Sequence, residues 1–332
     1  MFIVKFGGTS MATAANIRLC ADIVGASPKR TAIVVSAMGK AGNYSEKVTD
    51  QLMTGKIAEV FARYDDLAND LLPPDKLSQY KIELYKTKNK MLNNPADKNY
   101  IVSRGEYLTA KIFALYLDFN FIDAHDIIVI NPDSTANLKA TKRNIKKQKL
   151  KNKMPFVIGG FYGRDKDNNV ALFSRGGSDY TGAVLAVLLK CELYENWTDA
   201  NGLQTADPRY IYGTQTTPCL NFDALDILTN NGATIIHENV AKLLKRYKTP
   251  LKIDNTFNPN KNWTEVHSKQ CHKCNNNFFS ITHKDDKILV VYKFGKSIQT
   301  EIHPTTPATL TEDIQRLHNL FLSTNTRPPT PK

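Results

Sequence analysis

Apolar positions in this chain follow two rhythms. Runs of β-branched and aromatic residues at 2–6 (FIVKF) and 31–37 (TAIVVSA) have almost no polar face, which predicts strands buried on both sides. Between them Ile17, Cys20, Ile23 and Val24 recur at helical spacing, and Gly25 and Pro28 end the pattern. The chain therefore opens as strand, Gly-Gly turn, helix, strand. Residues 46–92 read as helix interrupted at Pro73-Pro74, and 107–118 as a further helix. Strands are expected at 126–130 and 155–161, a helix at 180–190, and strands at 191–197 and 250–255. This alternation predicts a three-layer α/β/α sandwich around a largely parallel sheet. After about residue 266 the character changes. Asn275 to Asn277, Pro304, Pro307, Pro328, Pro329 and Pro331 mark loops. One strand-like run (Lys287 to Tyr292) and one helical stretch (Leu310 to Leu322) lie among them, a small, incomplete α+β region.

Composition narrows the class. With 332 residues, 42% of them hydrophobic, the chain can bury a sizeable core, so disorder and a disulfide miniprotein are excluded. No apolar run approaches the ~20 residues needed to span a bilayer. The stretch from Gly182 stops at Lys190, and the N-terminal one is too short for a signal peptide. A soluble cytoplasmic chain, with no membrane partner, is the expectation. Five scattered cysteines suggest reduced thiols. The net charge of +12 suggests nucleic acid, but its distribution argues otherwise. Residues 139–153 hold eight Lys and Arg and no acid, and without them the charge falls to +4. Such a block reads as a solvated helix face, and no nucleic-acid-reading motif accompanies it.

Four segments carry chemistry. Lys5-Phe6-Gly7-Gly8-Thr9-Ser10 follows a strand and opens a helix. Its glycines let the backbone approach an anion, the helix N-terminus offers unpaired N–H groups, and Lys5 adds a full charge. The alternative is an ordinary tight turn. Ser174-Arg175-Gly176-Gly177-Ser178-Asp179 combines a cation, a second glycine pair, a hydroxyl and a carboxylate before a helix. The alternative reading is Ser178 or Asp179 as a plain N-cap. Trp197-Thr198-Asp199, followed by Thr205-Ala206-Asp207-Pro208-Arg209, places Thr and Asp at a strand end, where ligands of α/β sheets commonly sit. In Ser103-Arg104-Gly105-Glu106, the carboxylate is read as heading a helix.

In this order and spacing the segments resemble the aspartokinases, a branch of the amino acid kinase family. The matching stretches are KFGGTS (5–10), SAMGK (36–40), SRGEYL (103–108), GGFYG (159–163), FSRGGSDYTGA (173–183), ENWTDANG (195–202), TADPR (205–209) and GATIIHENV (232–240). The resemblance covers about residues 1–266. It implies transfer of the γ-phosphoryl group of ATP, carried with Mg2+, to the side-chain carboxylate of L-aspartate. By the same resemblance Lys5 bridges the transferring oxygens, and Gly7, Gly8, Thr9 and Ser10 surround the phosphates. Asp179 orients Lys5 near the metal-bound phosphates. Arg175 takes the substrate α-carboxylate and Glu106 its ammonium, with Ser178 nearby. Thr198 and Asp199 border the nucleotide, Tyr210 is a weaker candidate, Arg209 reaches toward phosphate, and Thr234 and Ile235 lie on the adenine side.

Departures from the family pattern set the open questions. The threonine that many relatives carry after SAMGK is replaced by Gly42 or Asn43, so the expectation is either weaker aspartate binding or a contact from Asn43 or Ser45 instead. Residues 267–277 read as a linker and 278–332 as a partial ACT-like region, with Phe278 to Tyr292 as its first strand, too short for the two regulatory ACT domains usual in the family. That predicts weakened feedback control and a weakened homodimer. A non-catalytic or altered-specificity homologue that binds nucleotide is the competing reading. His267, Cys271, His272 and Cys274 have a spacing that could hold zinc, against the simpler reading of a solvated loop.

Overall fold

Five strands of the N-terminal half pair in parallel, and the site depends on where they end. The computed structural model describes residues 1–42, 44–174, 176–267, 278–294 and 297–323. They fall into two units, Met1–Asp199 and Ala200–Lys332.

In the first unit the elements run β1 (Phe2–Phe6), α1 (Ala14–Gly25), β2 (Arg30–Val35), α2 (Val48–Met53), α3 (Ile57–Leu71), α4 (Pro74–Asn93), α5 (Lys98–Leu117), β3 (Asn120–Ile122), α6 (Ala124–Ile127), α7 (Leu138–Lys147), β4 (Phe156–Gly159), β5 (Tyr162–Arg164), β6 (Val170–Leu172), α8 (Gly177–Leu189) and β7 (Leu193–Thr198). The parallel order is β3-β4-β2-β1-β7. Ile3, Val4, Phe6, residues 32–35 and residues 156–158 have no exposed surface, as expected for strands covered on both faces. Burying such a side chain contributes roughly 1.5–3 kcal/mol. Pro74 stands at the first turn of α4, where its missing N–H costs nothing, and this explains the break at Pro73-Pro74.

Two sequence expectations shift here. The helix expected from 107 begins at Lys98, because the Asp97 side chain accepts the Tyr100 N–H (2.9 Å) and caps it. Glu106 therefore lies in the middle of α5 and does not head it. The strand expected at 126–130 is instead the single turn α6, capped by Asp123 through the His125 N–H (3.0 Å). Val129 and Ile130 form only isolated bridges, with Arg164 and Ala136.

The second unit contains β8 (Cys219–Asn221), α9 (Phe222–Asn230), α10 (Glu238–Tyr247), β9 (Leu251–Asn255), β10 (Thr264–His267), β11 (Phe278–Lys284), β12 (Lys287–Phe294), β13 (Ser297–Pro304) and α11 (Leu310–Ser323). β10 pairs in parallel with β8 and antiparallel with β9. Strands β11, β12 and β13 make a separate antiparallel sheet. The run from Phe278 to Tyr292, expected as one strand, folds back on itself with Asp285 at φ +55°. Phe279, Ile281, Ile288, Val290 and Tyr292 pack with Ile314, Leu317 and Phe321 of α11, and Ala206 and Ile211 join the same cluster.

No helix among the described residues is long and apolar enough to cross a membrane. Cys20 and Cys191 are free thiols, whereas Cys219 is disulfide-bonded, so the all-thiol expectation fails at that position. Among the described residues no group of three or more His, Cys, Asp or Glu is placed to hold a metal. Cys271, His272 and Cys274 lie outside the described residues, and His267 sits 3.1 Å from Glu265.

Candidate active site

The carboxyl ends of β1, β2, β4 and β7 meet along one edge of the parallel sheet, the usual place for a ligand crevice. β1 ends at Phe6, and the Gly7 N–H donates to the Trp197 carbonyl (3.0 Å), which ties the glycine turn to the end of β7. The chain then makes one 3-10 turn, Thr9–Met11, before Thr13 caps α1 through the Asn16 N–H (3.2 Å). The turn thus precedes α1 and does not open it. Its donors are those of a tight 3-10 turn, and the long helix starts at Ala14.

Close backbone approach makes Gly39 obligatory here. The Gly39 N–H donates to the Gly8 carbonyl (2.8 Å), and a Cβ on Gly39 would lie 2.6 Å from Gly8 C and Thr9 N. No side chain fits between these two loops. The Thr9 hydroxyl donates to Asp199 Oδ2 (3.0 Å), and the Thr198 hydroxyl to Asp199 Oδ1 (3.2 Å). Ser10 is buried.

Lys5 is 7% exposed, and its Nζ lies 2.6 Å from Asp179 Oδ1. A Cβ on Gly7 would sit 3.5 Å from that Nζ, so the ammonium lies directly beside the glycine turn. Asp179 stands in the first turn of α8, whose N-cap is Gly176 at φ +75° with no side-chain cap. Gly176, and neither Ser178 nor Asp179, is thus the N-cap, and the Asp179 carboxylate lies against Lys5. The Tyr194 hydroxyl donates to the Asp179 carbonyl (2.9 Å) and steadies that turn.

Glu106 is 4% exposed, and its Oε2 has no hydrogen-bond partner among the described residues. Burial pushes its carboxyl up to about 8 from an ordinary value of 4.5. Glu106 and Ser178 rest on the glycine pair that ends β4. A Cβ on Gly159 would lie 3.0 Å from the Glu106 carbonyl, and one on Gly160 would lie 2.6 Å from Ser178 Cβ. A buried carboxylate with an orphan oxygen lacks a donor that a cationic group would supply.

Lys5, Gly7, Gly8, Thr9, Ser10, Glu106, Ser178, Asp179, Thr198 and Asp199 all belong to the first unit. Arg175 and Asn43 lie outside the described residues. Arg209, Thr234 and Ile235 belong to the second unit. There the Arg209 guanidinium forks onto Asp207 (Nε to Oδ1 3.0 Å and to Oδ2 2.9 Å). Thr234 is exposed and Ile235 half-buried. Two residues of the first unit went unnoticed in the sequence. Arg63 is 2% exposed and donates to the carbonyls of Gly39, Ala12 and Glu46, and the Tyr44 ring covers its guanidinium at 4.2 Å. The sequence did hold a signal for Arg63, a basic residue on the apolar face of α3 between Val60 and Leu67.

The sequence model of the amino acid kinase family matches residues 1–255. Aspartokinase 3 of Bacillus subtilis is 30% identical over 292 residues, covering 81% of this chain and 64% of the relative. Aspartokinase of Rickettsia felis is 29% identical over 88% of this chain and 67% of the relative. This chain thus spans about two thirds of the length of these relatives. Among solved structures, the aspartate kinase of Clostridium acetobutylicum superposes with a TM-score of 0.71 at 32% identity, covering 81% of this chain and 63% of that one. E. coli aspartokinase III in complex with aspartate and ADP shares the fold at a TM-score of 0.74 and 22% identity, over 88% of this chain and 69% of that one. With three quarters of its length matched by the family's pattern and its glycine turn, buried lysine and Asp179 at one sheet edge, the chain belongs to the amino acid kinase family.

Proposed function

We propose that this chain is an aspartokinase, transferring the γ-phosphoryl group of ATP to the β-carboxylate of L-aspartate. The observation that carries the reading is the buried Lys5–Asp179 pair, 2.6 Å apart beside the Gly7-Gly8 turn. The nucleophile is a carboxylate with a free pKa near ~3.9, so it is ionised at neutral pH and needs no general base. One carboxylate oxygen forms the new bond to phosphorus while the bond to the ADP oxygen breaks. The products are an acyl phosphate and ADP. The difficulty is to bring two anions together, so catalysis rests on positioning and charge neutralisation.

Lys5, held by Asp179, supplies the cation at the transferring group, and the Gly7–Ser10 backbone receives the phosphates. Thr198 and Asp199 border the nucleotide. Glu106 takes the substrate ammonium with its unpartnered oxygen, Ser178 lies alongside, and Arg175 and Asn43 are assigned to aspartate by sequence match. Arg209, Thr234 and Ile235 are assigned to the nucleotide on the same ground. The donor set suits Mg2+ brought in on ATP, because Mg2+ commonly uses one or two carboxylates plus substrate phosphates, and Asp179 and Asp199 are the carboxylates at hand. When bound, the ion neutralises charge on the phosphate oxygens. The test is trapping the product with hydroxylamine across a panel of amino acids with Mg-ATP. Hydroxamate from aspartate alone is expected. Turnover on glutamate with none on aspartate would overturn the assignment.

A further inference from the structure

Arg63 is a buried full charge that the proposed chemistry does not use. It projects from α3 into the body of the first unit, and its acceptors are all neutral. Nη2 donates to the carbonyls of Gly39 and Ala12 (3.4 Å for the latter), and Nη1 donates to the Glu46 carbonyl (3.3 Å). Nε has no partner among the described residues, and no carboxylate there forms an ion pair with the guanidinium. The Glu46 carboxylate is taken by Lys56 Nζ (2.8 Å). The Tyr44 ring closes the fourth side at 4.2 Å. An arginine stays ionised even where burial lowers its pKa, as it does here. Among the described residues its desolvation is therefore offset only by carbonyl dipoles and one aromatic face, both of which must be held in place.

Those partners come from two loops with different jobs. Ala12 directly follows the glycine turn. Gly39 bonds to that turn with its N–H, onto the Gly8 carbonyl (2.8 Å), and to Arg63 with its own carbonyl. Tyr44 and Glu46 belong to the loop on which the aspartate contacts Asn43 or Ser45 were expected. Near the middle of that loop Ala41 and Tyr44 exchange backbone hydrogen bonds (3.2 and 2.9 Å), with Gly42 at φ +52°. One guanidinium thus anchors the phosphate turn from behind and the amino acid loop from below.

We propose that Arg63 is a positioning residue that couples the two substrate sites, so that nucleotide and aspartate each tighten the binding of the other. This rests on the aspartokinase reading. The physical reason is shared ordering. A ligand that fixes one loop fixes the guanidinium, and the second loop then loses less freedom when its own ligand arrives. Linkage requires the effect to be reciprocal and of equal size in both directions.

The experiment measures ADP dissociation constants by calorimetry on the full chain, with and without saturating L-aspartate, and aspartate constants with and without ADP. In the wild type each ligand is expected to tighten the other by at least about fivefold. Arg63→Met should bring the factor close to one and raise both KM values. Arg63→Lys keeps the charge but loses the fork, and should fall between. Trypsin cleavage after Lys40, which is exposed, should be slowed by the ligands in the wild type and much less in Arg63→Met. Should Arg63→Met fail to fold by circular dichroism, Arg63→Lys and Tyr44→Ala carry the test. Wild-type coupling below twofold, or full coupling in the folded variants, overturns the proposal. A wild type that binds and couples both ligands without phosphorylating aspartate would instead overturn the functional reading.

Discussion

The first unit holds lysines in two opposite settings. Lys5 is 7% exposed and ion-paired with one carboxylate at 2.6 Å. The lysines and arginine of 139–153, on α7 and just beyond it, are mostly exposed, and none forms an ion pair among the described residues. By count the second group dominates the charge of the chain, yet in water its field is screened within about 8 Å at physiological salt. Lys5 stands where water is largely excluded, so its charge is screened far less. What separates the two is desolvation, and desolvation follows from position in the sheet, which composition does not report.

The largest expected effect comes from removing the buried charge. Lys5→Ala should lower kcat at least roughly a hundredfold with a modest change in the KM for ATP, because its proposed role is at the transferring group. Steady-state kinetics at saturating aspartate would measure it. Near-normal turnover would mean that the buried and exposed lysines differ less than their settings suggest.

Glu106 extends the contrast to an acid. Its folded-state carboxyl titrates at about 8, above the ordinary 4.5, so between those values the folded chain holds a proton that the unfolded chain releases. Stability therefore falls as pH rises through that window, and the cost is complete above about 8. Glu106→Gln removes the cost. We expect its Tm to approach or match the wild type near pH 5 and to exceed it by a few degrees at pH 8–9, while kcat/KM for aspartate drops about a hundredfold for want of the charge partner. Thermal scans and kinetics on the same preparation test both halves. An unchanged Tm difference across pH would remove the burial argument.

The same group sets a smaller, finer effect. If the substrate ammonium needs ionised Glu106, kcat/KM for aspartate should rise with pH and level off above about 8, because that ratio reports the free enzyme. The KM for ATP should not follow this course. A flat aspartate profile in the wild type would place the ammonium elsewhere.

The sheet and the Gly7-Gly8 turn were legible in the sequence for a physical reason. Strands covered on both faces must be continuously apolar, and loops that touch backbone to backbone must carry glycine, so both leave marks at fixed positions. Residues 2–6, 31–35 and 156–159 show the first mark, and Gly8 with Gly39 the second. Helix starts were less legible, since Asp97 and Asp123 look like any loop acid until their acceptor geometry is seen. The acceptors of Arg63 were not legible either, because they are carbonyls and main-chain acceptors carry no residue signature. The β11–β12 hairpin was read as one strand because its turn is Lys-Asp-Asp-Lys, without the glycine that usually marks such a reversal.

The smallest expected effect lies on α7. Lys139, Lys142, Lys146 and Lys147 are exposed, and the face that packs inward carries Thr141, Asn144 and Ile145 instead. Asn144 donates to the Ile127 carbonyl (3.2 Å) and the Thr141 hydroxyl accepts the Val129 N–H (3.0 Å), so the helix is held by groups that the substitution leaves alone. Changing the four lysines to glutamine keeps helix propensity nearly constant and removes four mutually repelling charges. Stability should move by no more than about 0.5 kcal/mol, and kcat should be unchanged within error. The discriminating measurement is binding of a labelled DNA or RNA duplex to the intact chain at rising salt. Absence of salt-sensitive binding is expected. A tight complex whose affinity falls steeply with salt and is lost in the glutamine variant would show that exposed, unpaired charge does specific work here, and that the contrast with Lys5 is one of partner rather than of burial.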